Sequence, residues 1–147
     1  LYHAVAGGGA EKIQGGTTTS LRAAASSPSF DALIGGGNAK GLEGAQKDLI
    51  QQRLRTLPGR RFTGSAGVQA SLLASGKDDY MAHGRCTPWD HAPVDLLCRE
   101  AGCHAAMVAT GAPYHTSNSG PFMITANQAI WNHFADTLWA GFAELAV

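Results

Sequence analysis

Apolar positions change period several times along the chain, and each change predicts an element. "LYHAV" reads as a short strand, and the glycines at 7 to 9 predict a tight turn or bulge where side chains would not fit. The stretch "GGTTTSLRAAASSPS" is small and polar, so it predicts loop with at most one edge strand. "FDALIGGG" reads as a strand ending in glycines. Leu42, Ala45, Leu49, Ile50, Leu54 and Leu57 then recur at helical spacing, with Lys47, Gln51 and Arg55 facing elsewhere. Pro58-Gly59 ends that amphipathic helix. "RRFTGSAGVQASLLASG" starts strand-like and continues as a helix with Ser65 as N-cap and Gly76 as stop. "DDYMAHG" predicts a short strand leading to a turn at Trp89-Asp90. A helix follows from about Pro93 to Ala101, closed by Gly102, since proline is tolerated in a first turn. "HAAMVAT" and "PFMIT" read as buried strands joined by the polar "GAPYHTSNSG". The last helix, from about Asn127, buries Ile130, Trp131, Phe134, Leu138 and Phe142 on one stripe. Strands and helices alternate without internal repeat, which predicts a layered α/β fold in one domain, residues 1–147.

Composition narrows the function classes. Eleven basic residues balance 11 acidic ones, which argues against partners that are nucleic acids or anionic membranes, because both need clustered Lys and Arg. The nearest approach to a cluster is Arg53, Arg55, Arg60 and Arg61, interrupted by Thr, Leu, Pro and Gly. It reads as a solvated helix end, with phosphate contact as the alternative. No apolar run approaches the roughly 20 residues that cross a bilayer, and residues 1–10 lack the pattern of a signal peptide. The chain is expected to be soluble. Three cysteines without a framework suit reduced thiols in the cytoplasm. Leu1, in a segment that reads as mid-element, predicts a piece of a longer polypeptide.

The chemistry concentrates in "CTPWDHAPVDLLCREAGC", residues 86 to 103. A lone carboxylate at a helix start is ordinarily a cap, accepting amide hydrogen bonds and facing the positive end of the helix dipole. Two features point Asp90 beyond that role. It sits at a strand-to-helix junction, where α/β proteins place ligands, and "TGSAG" offers a second helix start with free amides. Zinc held by His83, Cys86, His91, Cys98, Cys103 and His104 is disfavoured, because the spacing gives no ligand pairs. Asp78 and Asp79 should point to opposite faces of a strand, one solvated and the other a structural turn acid, a role that the resemblance set out below gives to Asp79. Glu100 is expected to face solvent or to pair with Arg99 or His104. Trp131, Phe134, Trp139 and Phe142 read as core or subunit interface.

Four segments, in order, carry a resemblance. "AVAGGGA", "GSAGVQASLLASGKDDY", "PWDHAPVDLLCREAGC" and "GAPYHTSNSGPFMITAN" resemble the glycine-rich hairpin, the Gly-Ser/Thr-Ala helix, the Trp-Asp signature and the closing loop and strand of the inositol monophosphatase family. That resemblance implies the carboxy-terminal half of a sugar-phosphatase fold, a layered α/β sandwich with a mixed sheet. It also implies a Mg²⁺-dependent phosphomonoesterase, in which metal-activated water attacks a small sugar, polyol or nucleotide phosphate. Carried over residue by residue, Asp90 is a metal ligand and Gly64, Ser65 and Ala66 contact the substrate. His83, seven residues before Asp90, stands where inositol-selective members place a substrate-contacting acid, so inositol itself is not the implied substrate. Pro93 and Cys103 replace residues that are usually small. The family's remaining ligands come from a Glu-Glu pair and an Asp-Pro-x-Asp-Gly-Thr run, and neither occurs here. The chain is therefore expected to be inactive alone and to have as partner a second copy, in a homodimer, or a complementing amino-terminal half. A non-catalytic binding or dimerisation module and a small metal-binding protein are the rival readings.

Overall fold

The computed structural model describes residues 1–25 and 29–146. The chain opens with an antiparallel meander: β1 (Tyr2–Val5), β2 (Gly9–Gln14) and β3 (Thr17–Ser20). Gly15 and Gly16, at φ +57° and +79°, form the two-residue turn between β2 and β3, the geometry that matches strand twist and that only glycine adopts freely. The edge strand expected after these glycines is β3. The strand β2 was hidden in the sequence because Ala10 is its sole fully buried residue, so it shows no apolar alternation.

A second, mixed sheet has β4 (Gly35–Asn38), β5 (Tyr80–His83), β6 (His104–Met107) and β7 (Phe122–Thr125) in the order β4-β5-β7-β6. Only the β4–β5 pair is parallel. The strand read from "FDALIGGG" needs correction: Phe30–Ala32 is a single 3₁₀ turn, and the glycines are the strand. Close approach is the reason. A Cβ at Gly37 would meet Ala82 O at 2.7 Å and Leu54 Cδ2 at 2.8 Å, and one at Gly35 would collide with Tyr80. Strands β5 and β7 are buried along their whole length, as expected where both faces of a sheet are covered.

Among the described residues, four α-helices follow or flank the strands: α1 (Gly44–Thr56), α2 (Ala66–Ala74), α3 (Pro88–Glu100) and α4 (Gln128–Asp136). Helix α1 buries Ile50 and Leu54, whereas Ala45 is exposed and Leu42 and Leu57 lie outside the helix. Ser65 caps α2 by accepting from Val68 N, and Gly76 at φ +69° ends it. Helix α3 starts five residues earlier than expected, because Pro88 rather than Pro93 occupies its first turn. Pro93 removes only the bond to the Trp89 carbonyl, on a face where both residues are exposed. Helix α4 stops at Asp136, yet Leu138, Trp139 and Phe142 remain buried in the turns beyond it. Arg53 fixes those turns by donating from Nη1 to Leu138 O and Ala140 O.

One buried cluster runs from Ala10 in the meander to Phe142. At its centre Tyr80 and Phe134 meet edge to face, with ring centroids 4.8 Å apart. Two acidic residues depart from expectation. Asp78 is buried, not solvated; it pairs with Arg61 at 2.8 Å, and burial raises its pKa despite that cation. Glu100 lies at the solvent-facing surface as expected, yet its partner is neither Arg99 nor His104. Its carboxylate accepts from Gly7 N at 2.8 Å and Gly9 N at 2.9 Å, tying α3 to the β1–β2 turn. Asp79 is structural as expected, accepting from Ile34 N at 2.8 Å. No helix among the described residues is long and apolar enough to cross a membrane.

Candidate active site

The parallel strands β4 and β5 end side by side, and a cleft of about 320 Å³ opens at their carboxyl ends. This is where open α/β sheets bind ligands. Gly37 and Asn38 end β4 at the cleft, and His83 ends β5 there. Two helices present their amino termini there: α2, which precedes β5, with Gly64, Ser65 and Ala66, and α3, which follows β5, with Thr87 and Asp90. Two helix amino termini facing one cleft concentrate unpaired amides and positive partial charge. Lys40, Arg61 and Arg85 line it too, with Asp90 as its lone carboxylate. The cleft is built for an anion, or for an anion together with a cation.

Asp90 lies in the first turn of α3 rather than in a turn before it. Its carboxylate is exposed on the cleft and accepts from Thr87 Oγ1 at 3.2 Å. Thr87 is the N-cap residue but makes no side-chain cap, so its hydroxyl is spent on Asp90. The carboxylate is therefore open to a ligand and not turned into apolar packing.

Beneath it runs a buried relay that sequence reading missed. Thr87 N donates to His91 Nδ1 at 3.0 Å. Because a backbone amide can only donate, His91 carries its proton on Nε2 and gives it to His83 Nδ1 at 2.9 Å. His83 Nε2 in turn donates to Gln69 Oε1 at 3.0 Å. Thr87 O lies 3.2 Å from the same His91 nitrogen, but a ring nitrogen accepting from Thr87 N has no proton to give it. Each nitrogen of the relay is used once and both rings are neutral. Burial first, then His91 beside it, lowers the His83 pKa to about 4. Burial likewise lowers that of His91.

The residues singled out from sequence, Asp90, Gly64, Ser65, Ala66 and His83, all line this one cleft. Lys40, Arg85, Gln69 and His91 were missed as site residues, and Arg61 was read as a phosphate contact only as an alternative. Only their placement at the ends of β4, α2 and α3 reveals them, since no motif joins them in the chain. Among the described residues, no group of three or more His, Cys, Asp or Glu could hold a metal ion. Mg²⁺ takes oxygen ligands in near-octahedral geometry, and here Asp90 offers one carboxylate. These residues fit one edge of a metal site and do not complete one. Cys86, Cys98 and Cys103 are free and buried.

The fold is shared with solved phosphatases. Inositol monophosphatase II from Staphylococcus aureus MSSA476 superposes with a TM-score of 0.76 at 21% identity, over 98% of this chain and 54% of that one. Inositol monophosphatase from Anabaena (Nostoc) sp. PCC 7120 gives 0.73 at 22% identity, over 93% and 54%. Mycobacterium tuberculosis SuhB gives 0.72 at 22%, over 96% and 55%. The chain thus spans about half the length of these proteins. No curated protein matches it by sequence. The family model described as inositol monophosphatase family matches residues 1–141, and with the mixed sheet and the four ordered segments in place, the chain belongs to the inositol monophosphatase family.

Proposed function

We propose that this chain supplies the leaving-group side of a Mg²⁺-dependent phosphomonoesterase acting on a small sugar, polyol or nucleotide phosphate. Family membership supports a phosphatase in general terms. One observation supports the finer reading: a solvent-open carboxylate, Asp90, sits among three cations and two helix amino termini in one cleft. The solved staphylococcal IMPase-II has been seen with inositol monophosphate and with 2'AMP, and a related staphylococcal protein with Ca²⁺. Those ligands match the substrate class and a hard divalent cation.

In this reading Asp90 gives one oxygen to the ion, and further carboxylates come from an amino-terminal half or a second copy of the chain. When bound, Mg²⁺ offsets charge on the phosphoryl group and activates water. Lys40 and Arg85 draw the phosphate ester in, while Gly64, Ser65 and Ala66 meet the leaving group at the start of α2. His83 shapes the pocket floor as a neutral ring whose nitrogens are already bonded, so it does not grip hydroxyls as a carboxylate would. That selects against inositol and for a leaving group with fewer hydroxyls at this position. Three free thiols support a reducing, cytoplasmic setting.

The test is Mg²⁺-dependent phosphate release by the chain combined with the amino-terminal half of a family member. Asp90→Asn should lower turnover by roughly a hundredfold, from the several kcal/mol of charge stabilisation a metal supplies. Full activity in Asp90→Asn, or robust turnover by the isolated 147 residues, would defeat the proposal.

A further inference from the structure

Helix α3 ends in two nested backbone hydrogen bonds. Cys103 N donates to Cys98 O at 2.9 Å, and within that closure Gly102 N donates to Arg99 O at 2.9 Å. Gly102, at φ +93°, supplies the left-handed residue that this ending requires. The closure folds residue 103 back over residue 98, and side chains at those two positions commonly meet. Here both are cysteines. Chaining bond lengths through the Cys103–Cys98 hydrogen bond keeps their Cα atoms within about 7 Å, the limit beyond which a disulfide needs backbone movement. The thiols also act on each other directly: that of Cys98 is pushed well above its ordinary range, by Cys103 first and then by burial. Cys98 is wholly buried, whereas Cys103 keeps 8% exposure. It borders an open turn, since a Cβ at Gly102 would meet nothing within 4 Å. Cys86 stands apart, its Sγ donating to Asn118 O at 3.4 Å.

The same short segment holds the meander. Glu100 accepts from Gly7 N and Gly9 N, and Ala101 O accepts from Ala23 N at 2.9 Å. A bridge from Cys98 to Cys103 encloses both anchoring residues.

We propose that Cys98 and Cys103 are a redox-active dithiol that a small-molecule disulfide closes to a reversible intrachain disulfide, and that closing it tightens the hold of α3 on the meander. The Cys103 thiolate, which the oxidant reaches, attacks one sulfur of the oxidant, breaks its S–S bond and releases a thiolate. The Cys98 thiolate then attacks Cys103 Sγ in the mixed disulfide and expels the second thiolate. The oxidant is reduced to two thiols that take up the two cysteine protons, and the two cysteines are oxidised to one disulfide. The second step is internal, so the burial of Cys98 does not block it. Both cysteines lie outside the Asp90 cleft, at the other end of α3, so no part of this rests on phosphate chemistry.

The 147-residue chain, equilibrated with oxidised and reduced glutathione, quenched in acid, alkylated in denaturant and mapped by mass spectrometry, tests the dithiol. Oxidation should leave Cys86 as the one alkylated cysteine, beside a Cys98–Cys103 cross-link that dithiothreitol reverses. The disulfide should be favoured about tenfold more in the folded chain than in urea, where no turn holds the pair together. Cys98→Ala should stop with glutathione on Cys103, and Cys86→Ser should keep the cross-link, with circular dichroism checking each fold. The wild-type map decides the matter even where Cys98→Ala does not fold. Hydrogen exchange at the Gly7, Gly9 and Ala23 amides should slow several-fold on oxidation. Three alkylated cysteines, a link through Cys86, glutathione retained on Cys103 in the wild type, or an equal equilibrium in urea overturns the dithiol. A Cys98–Cys103 link that leaves exchange at those three amides unchanged supports the disulfide site and overturns its hold on the meander.

Discussion

His83 shows how little a residue type says about its role before its neighbours are known. In the chain it stands among possible zinc ligands; folded, it is the middle of a relay from Gln69 to the Thr87 amide. Its pKa of about 4, against an ordinary 6.5, has a consequence for stability. Between pH 6.5 and 4 the unfolded chain takes up a proton that the folded ring refuses. Stability is therefore fully present above pH 6.5 and is lost as pH falls toward 4, by as much as about 3 kcal/mol. Denaturant titrations across that window should show the slope, and His83→Gln should flatten it. An unchanged slope in the variant would mean that other groups carry the acid sensitivity. Asp90 was legible as a candidate because Trp-Asp stands at a recognisable junction. His91, Lys40 and Arg85 were not, because their meaning depends on which strand ends lie beside one another.

Among the elements, β4 is the one whose sequence misleads. A run of three glycines carries no hydrophobic period, and strand propensity disfavours it. It is a strand because β5, α1 and α2 all press close. A Cβ at Gly36 would collide with the Gln69 amide and the Arg61 carbonyl. Gly36→Ala should therefore cost about 1–3 kcal/mol, the range for overpacking, seen as a lower denaturation midpoint. It should also move Gln69 off His83. A midpoint equal to wild type would show that β4 has more room than described. At the other end of the fold, Glu100 joins α3 to the meander. Its carboxylate is held below its ordinary range by the Gly7 and Gly9 amides it accepts from. That contribution is present above about pH 4.5 and fades as pH falls below it. Glu100→Gln should speed hydrogen exchange at those two amides while leaving β5 and β7 amides protected. Unchanged exchange at Gly7 and Gly9 would rule out the tie. Helices α1, α2 and α4 were legible because their apolar spacing and caps are local; the start of α3 was misplaced because two prolines compete for its first turn.

For the whole molecule, the deciding quantity is the count of oxygen donors in the cleft. With Asp90 as its lone carboxylate, the isolated chain should bind Mg²⁺ no tighter than about millimolar, the weak end for hard cations with few charged ligands. Calorimetry against MgCl₂ measures this, and micromolar saturation by the isolated chain would mean that donors elsewhere reach the site. The chain spans about half the length of the solved proteins it superposes on, which agrees with the missing acidic motifs.

Sequence alone settled the layered α/β class, most helices, the buried strands β5, β6 and β7, and the family, because periodicity, caps and ordered motifs are properties of neighbouring residues. Tertiary structure alone decided that Asp90 faces an open cleft and that His83 and His91 share a neutral relay. Those facts arise where strand and helix ends distant in the chain converge, and no local pattern encodes which ends will meet.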